Sequence, residues 1–138
     1  MTGFVLDASV AIAWCFADES SGPSRQLLES LQFRAAVVPP LWNWEIGNAL
    51  LTAERRGRIE PAAADLFLRL LRQLPIHVDA GSADRALEET RRLAREHDLT
   101  TYDASYLELA HRRGLPLATR DAALARAAAA VQVSLLSA

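Results

Sequence analysis

Short unbroken apolar runs alternate along this chain with longer segments in which apolar residues recur every three or four positions. Gly3 to Leu6 is a run of the first kind and predicts a buried strand, after which Asp7 or Ser9 caps a helix to about Cys15. Gly22-Pro23 puts a proline where a first helical turn accepts it, opening a helix to about Leu31. Ala35 to Val38 predicts a second strand. Leu41 to Arg56 predicts a helix ended by Gly57, and Pro61 starts another running to Leu74. Ile76 to Val78 follows as a third strand. Ser82 then caps a helix to about Glu96, and Thr100 or Thr101 caps one to Arg113, closed by Gly114. Pro116 to Thr119, Asp121 to Ala128 and Val131 to Leu135 complete the pattern as strand, short helix and candidate fifth strand. Strand–helix alternation over residues 1–138 predicts one α/β domain, with a mainly parallel sheet of four to five strands between helix layers.

Composition narrows the class. Of the 138 residues, 51% are hydrophobic and 23% charged, which is globular rather than disordered. A single cysteine, Cys15, excludes an intrachain disulfide and fits a buried structural thiol. Residues 35–53 are weakly charged and nearly long enough to span a bilayer. They hold Pro39, Pro40 and Glu45, so a strand and a helix explain them better. The N-terminus has no basic segment before an apolar core, and the protein is expected to be soluble, cytoplasmic and off the membrane. All 15 basic side chains are arginine, which excludes any site needing a lysine ammonium but leaves many phosphate-binding guanidinium groups.

Four carboxylates are hard to place as ordinary surface. Asp7 ends the run Phe4-Val5-Leu6; it could cap a helix, bind a ligand, or both. Ser9 could hydrogen-bond Asp7, although capping is the commoner role of a serine there. Glu45 is the only charged residue between Arg34 and Glu54, and Leu41, Trp42, Asn48 and Ala49 occupy the neighbouring positions on its helix face. A carboxylate so surrounded needs a partner, and Asn48 could orient it or touch substrate. Asp103 fits a capping box with Thr100 but also heads the stripe Asp103, Leu107, Ala110. Asp121 could cap its helix, with the Thr119 hydroxyl beside it. In open parallel sheets, ligands collect beyond the carboxyl ends of the strands, and all four acids can start from that rim. Gathered there, like charges would call for a divalent cation.

Other chemistry is thin. His77, His97 and His111 lack zinc-ligand spacing, and the isolated glycines make no phosphate loop. Arg55-Arg56 and Arg112-Arg113 fall at helix C-termini, where they suit the dipole. Arg120, beside Asp121, is the better candidate for binding substrate. Trp14, Trp42 and Trp44 could line a protein interface, but core packing is the commoner fate of tryptophan.

The ordered set Phe4-Val5-Leu6-Asp7-Ala8-Ser9, Glu45 with Asn48-Ala49-Leu50, Tyr102-Asp103-Ala104 and Leu117-Ala118-Thr119-Arg120-Asp121 resembles the PIN-domain ribonucleases, and among them the VapC toxins of bacterial toxin–antitoxin pairs. The resemblance implies an α/β/α sandwich. It implies that Asp7, Glu45, Asp103 and Asp121 bind Mg²⁺ or Mn²⁺, with Ser9, Asn48 and Thr119 as supporting polar groups. It also implies an RNA substrate, a cognate antitoxin and a homodimer. Two rivals fit less well: a receiver-type phosphoacceptor needs a lysine, and a haloacid-dehalogenase-like phosphatase needs an Asp where Ser9 stands. A housekeeping RNA-processing nuclease and a non-catalytic acidic-pocket module are the remaining alternatives.

Overall fold

The computed structural model describes residues 3–138. Strands β1 (Phe4–Leu6), β2 (Ala36–Val38), β3 (Ile76–Val78), β4 (Leu117–Ala118) and β5 (Leu135–Leu136) form one sheet in the order β3-β2-β1-β4-β5, every pair parallel. Register is set by Phe4 against Ala36, Val5 against Val37 and Leu117, and Leu6 against Ala118. The central strand β1 is wholly buried, as its uninterrupted Phe-Val-Leu requires of a strand covered on both faces. At the edge, β3 leaves His77 and Val78 exposed.

Among the described residues, eight helices flank the sheet: α1 (Ala8–Ala13), α2 (Gly22–Ser30), α3 (Leu41–Arg55), α4 (Pro61–Leu71), α5 (Ser82–Arg85), α6 (Glu89–His97), α7 (Thr101–Arg113) and α8 (Ala122–Ala130). Ser21 and Ser24 close a reciprocal capping box that spans Pro23 at the head of α2. Thr100 Oγ1 accepts the Asp103 N–H at 3.1 Å to start α7, and Gly114 at φ 64° ends it, a conformation L side chains resist. Helix α7 packs against β1 and β4, and its Tyr106, Leu107, Leu109 and Ala110 have no exposed surface.

Four expectations are corrected. The helix expected from Ser82 to Glu96 breaks into α5 and α6 around a turn at residues 86–88. Leu87 there is 78% exposed, so apolar spacing did not continue into the core, and the chain redirects to bury Thr90, Leu93 and Ala94. The fifth strand lies at Leu135–Leu136 rather than Val131–Leu135, because Val131 caps α8 and Gln132 turns at φ 62°. Cys15 is only half-buried. The tryptophans divide: Trp42 is in the core, Trp14 is half-buried and donates Nε1–H to Ser24 O at 2.8 Å, and Trp44 is 73% exposed. Residues 35–53 resolve into β2 and most of α3, and among the described residues no helix is long and apolar enough to cross a membrane.

One polar network inside the fold was not foreseen. Arg112, near the end of α7, donates to Glu108 at 2.8 Å and to Asp79, just past β3, at 2.6 Å. The Ser82 hydroxyl also donates to Asp79, at 2.7 Å. Asp79, Ser82 and Glu108 are all buried. Burial pushes the Asp79 carboxyl up, but Arg112, Ser82 and Arg113 together hold it below the usual carboxylate range. Arg112 thus does more than complement the helix dipole: it ties α7 to the β3–α5 connection.

Candidate metal centre

The strand order reverses direction between β1 and β4. The chain builds outward from β1 through β2 to β3, then returns to the other side of β1 for β4 and β5. Such a switch point opens a crevice at the carboxyl ends of the two strands. Asp7 stands at one lip and Thr119 at the other, and the Asp7 N–H donates to Ala118 O at 3.0 Å across them.

Asp7 is buried, and it is not a side-chain cap of α1 despite occupying the N-cap position. Its Oδ2 instead accepts the Thr119 hydroxyl at 2.6 Å and the Ser9 hydroxyl at 2.9 Å. Burial pushes the Asp7 carboxyl above its ordinary range and Asp121 adds to this, while the Thr119 and Ser9 hydrogen bonds oppose it. Thr119 Oγ1 also accepts the Asp121 N–H at 3.0 Å. Asp121 Oδ1 accepts the Leu124 N–H at 2.9 Å, so this acid does cap α8. One threonine therefore positions two acids.

Glu45 projects from α3, half-buried, and the partner its apolar face demanded is Tyr106. The phenol donates to Glu45 Oε1 at 2.5 Å, from a side chain with no exposed surface. Burial raises Glu45, Tyr106 lowers it, and Asp7 and Asp103 raise it further. The tyrosine is driven far above its normal range by the same burial and by Glu45 itself. Tyr106 escaped the sequence reading although a signal existed: it lies one helical turn after Asp103, on the same face of α7. Asp103 is raised by burial first, then by Asp121 and Asp7, with Thr100 opposing.

The four acids thus lie within one another's fields. Asp7 feels Asp121, Glu45 feels Asp7 and Asp103, and Asp103 feels Asp121 and Asp7. Among the described residues, no three carboxylate, histidine or cysteine side chains converge closely enough to hold a metal ion as they stand. The acids share a field rather than a finished coordination sphere. An oxygen-only donor set in which Asp7, Glu45 and Asp103 are pushed up by burial first and by neighbouring acids second still fits a hard divalent cation, which would relieve the repulsion.

The remaining candidates separate. Ser9 and Thr119 join the acids. Asn48 is exposed on the rim, in a hollow it shares with Glu45, and Tyr106 rather than Asn48 orients that carboxylate. Arg120 is exposed; its backbone N–H donates to Ser9 Oγ at 3.2 Å and its guanidinium to Glu19 O at 2.7 Å, so its side chain turns toward the loop after α1.

The PIN domain family profile matches residues 4–130. The chain is 39% identical over 95 residues to exonuclease VapC9 of Pyrobaculum aerophilum, covering 67% of this chain and 68% of that protein. It is 30% identical over 121 residues to ribonuclease VapC3 of the same organism, covering 88% and 91%. Among solved structures, VapBC2 from Rickettsia felis, bound to a DNA fragment of its promoter, superposes with a TM-score of 0.70 at 10% identity, over 99% of this chain and 98% of that one. That likeness speaks for the fold.

Proposed function

From the premise that this chain belongs to the PIN-domain family, we propose that it is a Mg²⁺- or Mn²⁺-dependent endoribonuclease toxin, held inactive by a cognate antitoxin. One observation carries the reading: Asp7, buried and clasped by two hydroxyls, stands at the sheet's switch point within the fields of Asp121, Glu45 and Asp103. The ribonuclease and exonuclease names of its VapC relatives support the same chemistry.

In this reading Asp7 and Asp103 would hold the cation, and Glu45 and Asp121 would complete the site or orient the attacking water. The bound ion supplies a lowered water pKa and a counter-charge for the phosphoryl oxygens. Ser9 and Thr119 fix Asp7 by donating to one of its oxygens, which leaves Oδ1 the freer ligand atom. Tyr106 holds Glu45 in place through one oxygen, and the α8 cap does the same for Asp121. The antitoxin would bring an arginine to these carboxylates. The toxin works in the cytoplasm as a homodimer.

The test is cleavage of RNA with Mn²⁺, with and without chelator. Wild type should cut, and Asp7→Asn or Asp103→Asn should abolish cutting with the circular dichroism spectrum unchanged. Full activity in either variant refutes the assignment, and inactivity of the wild type leaves an acidic binding module. The name of the 39%-identical relative favours a second reading, exonucleolytic cutting. A circular RNA decides between the two, since only an endonuclease opens it. A short upstream reading frame encoding a DNA-binding domain with a disordered tail would favour the toxin over a housekeeping nuclease.

A further inference from the structure

Helix α3 has two apolar faces. Trp42, Ile46, Leu50 and Ala53 form the buried one. On the other, Trp44 is 73% exposed and Leu51 40%, with exposed Asn48 between them. Tyr102, directly before Asp103 at the head of α7, is 66% exposed. Neither ring contributes much to the core, yet each adjoins a site carboxylate in sequence. Trp44, Tyr102, Asn48, Leu41 and Glu45 line a single hollow of about 390 Å³. Tyr102 and Leu41 also line a second hollow of about 370 Å³, whose wall includes the exposed Arg91. Tyr102 and Leu41 therefore border both hollows, with Glu45 and Trp44 lining one and Arg91 the other.

We propose that Trp44 and Tyr102 form a stacking platform that holds unpaired bases of single-stranded RNA beside the cleavage site, with Asn48 at the base edges and Arg91 on a flanking phosphate. This rests on the ribonuclease reading and deepens it by naming the side chains that hold the substrate's bases. Charge arrangement selects this occupant. An apolar protein segment seated here would cover Glu45 and Arg91 and strip both of water, which is unfavourable for unpaired charges. A nucleobase covers the ring faces with its own π face and keeps its polar edges hydrated, and its phosphate is what an unengaged guanidinium binds best. Arg91's only intramolecular hydrogen bond among the described residues is a long one, 3.4 Å, to Leu87 O. A duplex would keep its bases stacked on each other and offer no faces to either ring.

The experiment compares Trp44→Leu and Tyr102→Leu with Trp44→Phe and Tyr102→Phe, which keep a flat ring. The substrate is an unstructured RNA oligonucleotide, with and without abasic positions beside the cut. KM is read with Mn²⁺, binding with Ca²⁺ in place of Mn²⁺, and oligomeric state by light scattering. Removing a stacking partner should weaken binding roughly tenfold per ring, the loss falling on KM rather than kcat. Both Phe variants should stay near wild type, and abasic positions should weaken wild-type binding more than that of either Leu variant. Unchanged KM in the Leu variants, or wild-type indifference to abasic positions in an RNA it cleaves, overturns the platform alone. Conversion to monomers with unchanged affinity for RNA also overturns it, assigning the face to a second copy of this chain. Wild type that binds the oligonucleotide base-dependently but never cuts it keeps the platform and refutes the nuclease. A protein that neither binds nor cuts RNA refutes both.

Discussion

Among the single side chains, Tyr106 shows best how this fold makes room for a partly buried acid. Its hydroxyl lowers the Glu45 pKa against burial and against two neighbouring acids. Tyr106→Phe removes that one atom and little volume, so Glu45 should retain its proton to higher pH. The acid limb of the RNA-cleavage pH profile should move upward, and Mn²⁺ affinity should fall about 10–100-fold, as for other groups that orient metal ligands. Titrating metal against activity measures both. Asp121 allows a cleaner separation of charge from structure. Asp121→Asn keeps an oxygen for the Leu124 N–H and should lose cleavage while holding stability. Asp121→Ala should also lose the cap, at about 1 kcal/mol in urea denaturation. Asp7, Glu45, Asp103 and Asp121 were all visible in the sequence because each interrupts an apolar pattern. Tyr106 was not, because a tyrosine among core residues looks like core until its hydroxyl is traced.

At the level of elements, local chemistry foretold most boundaries and missed those that packing decides. Pro23, Pro61, Gly57 and Gly114 punctuate helices where expected, since their backbone preferences act without the rest of the fold. The break between α5 and α6 has no such punctuation, for neither proline nor glycine lies within residues 86–88. It follows from where α7 leaves room, which a linear pattern does not record. The Asp79–Arg112 tie was hidden for the same reason, although Glu108 and Arg112 stand four apart. Arg112→Met strands Asp79 and Glu108 without their closest cation. We expect a loss of about 3 kcal/mol, read from the denaturant midpoint. A double variant that also neutralises the two acids should recover much of it.

The molecule as a whole carries two opposed responses to pH. Asp7, Glu45 and Asp103 all have raised pKa values, so the folded protein holds protons that an unfolded chain, with carboxyls near 4, has released. Their contribution to stability is full in acid and is lost as pH rises through their folded values. Asp79 runs the other way: its lowered pKa stabilises the fold above about pH 4 and that support fades in stronger acid. These three groups should therefore make metal-free protein less stable at pH 7 than near pH 4, and Mn²⁺ should offset the loss at pH 7 by binding only the folded state. Asp7→Asn should flatten this dependence and raise the metal-free stability at pH 7 by about 1 kcal/mol. A melting temperature unmoved by Mn²⁺ would contradict the shared field.

The hydrogen bond from Thr119 to Asp7 joins residues 112 positions apart, one leaving the first strand and the other the fourth. At about 5–20 residues per second, a ribosome makes the first of them on the order of ten seconds before the second. Through that interval the nascent chain carries Asp7 without the strand and hydroxyl that hold it. The site around Asp7 is therefore completed only after Thr119 has been made, and any activity that depends on that clasp begins no earlier.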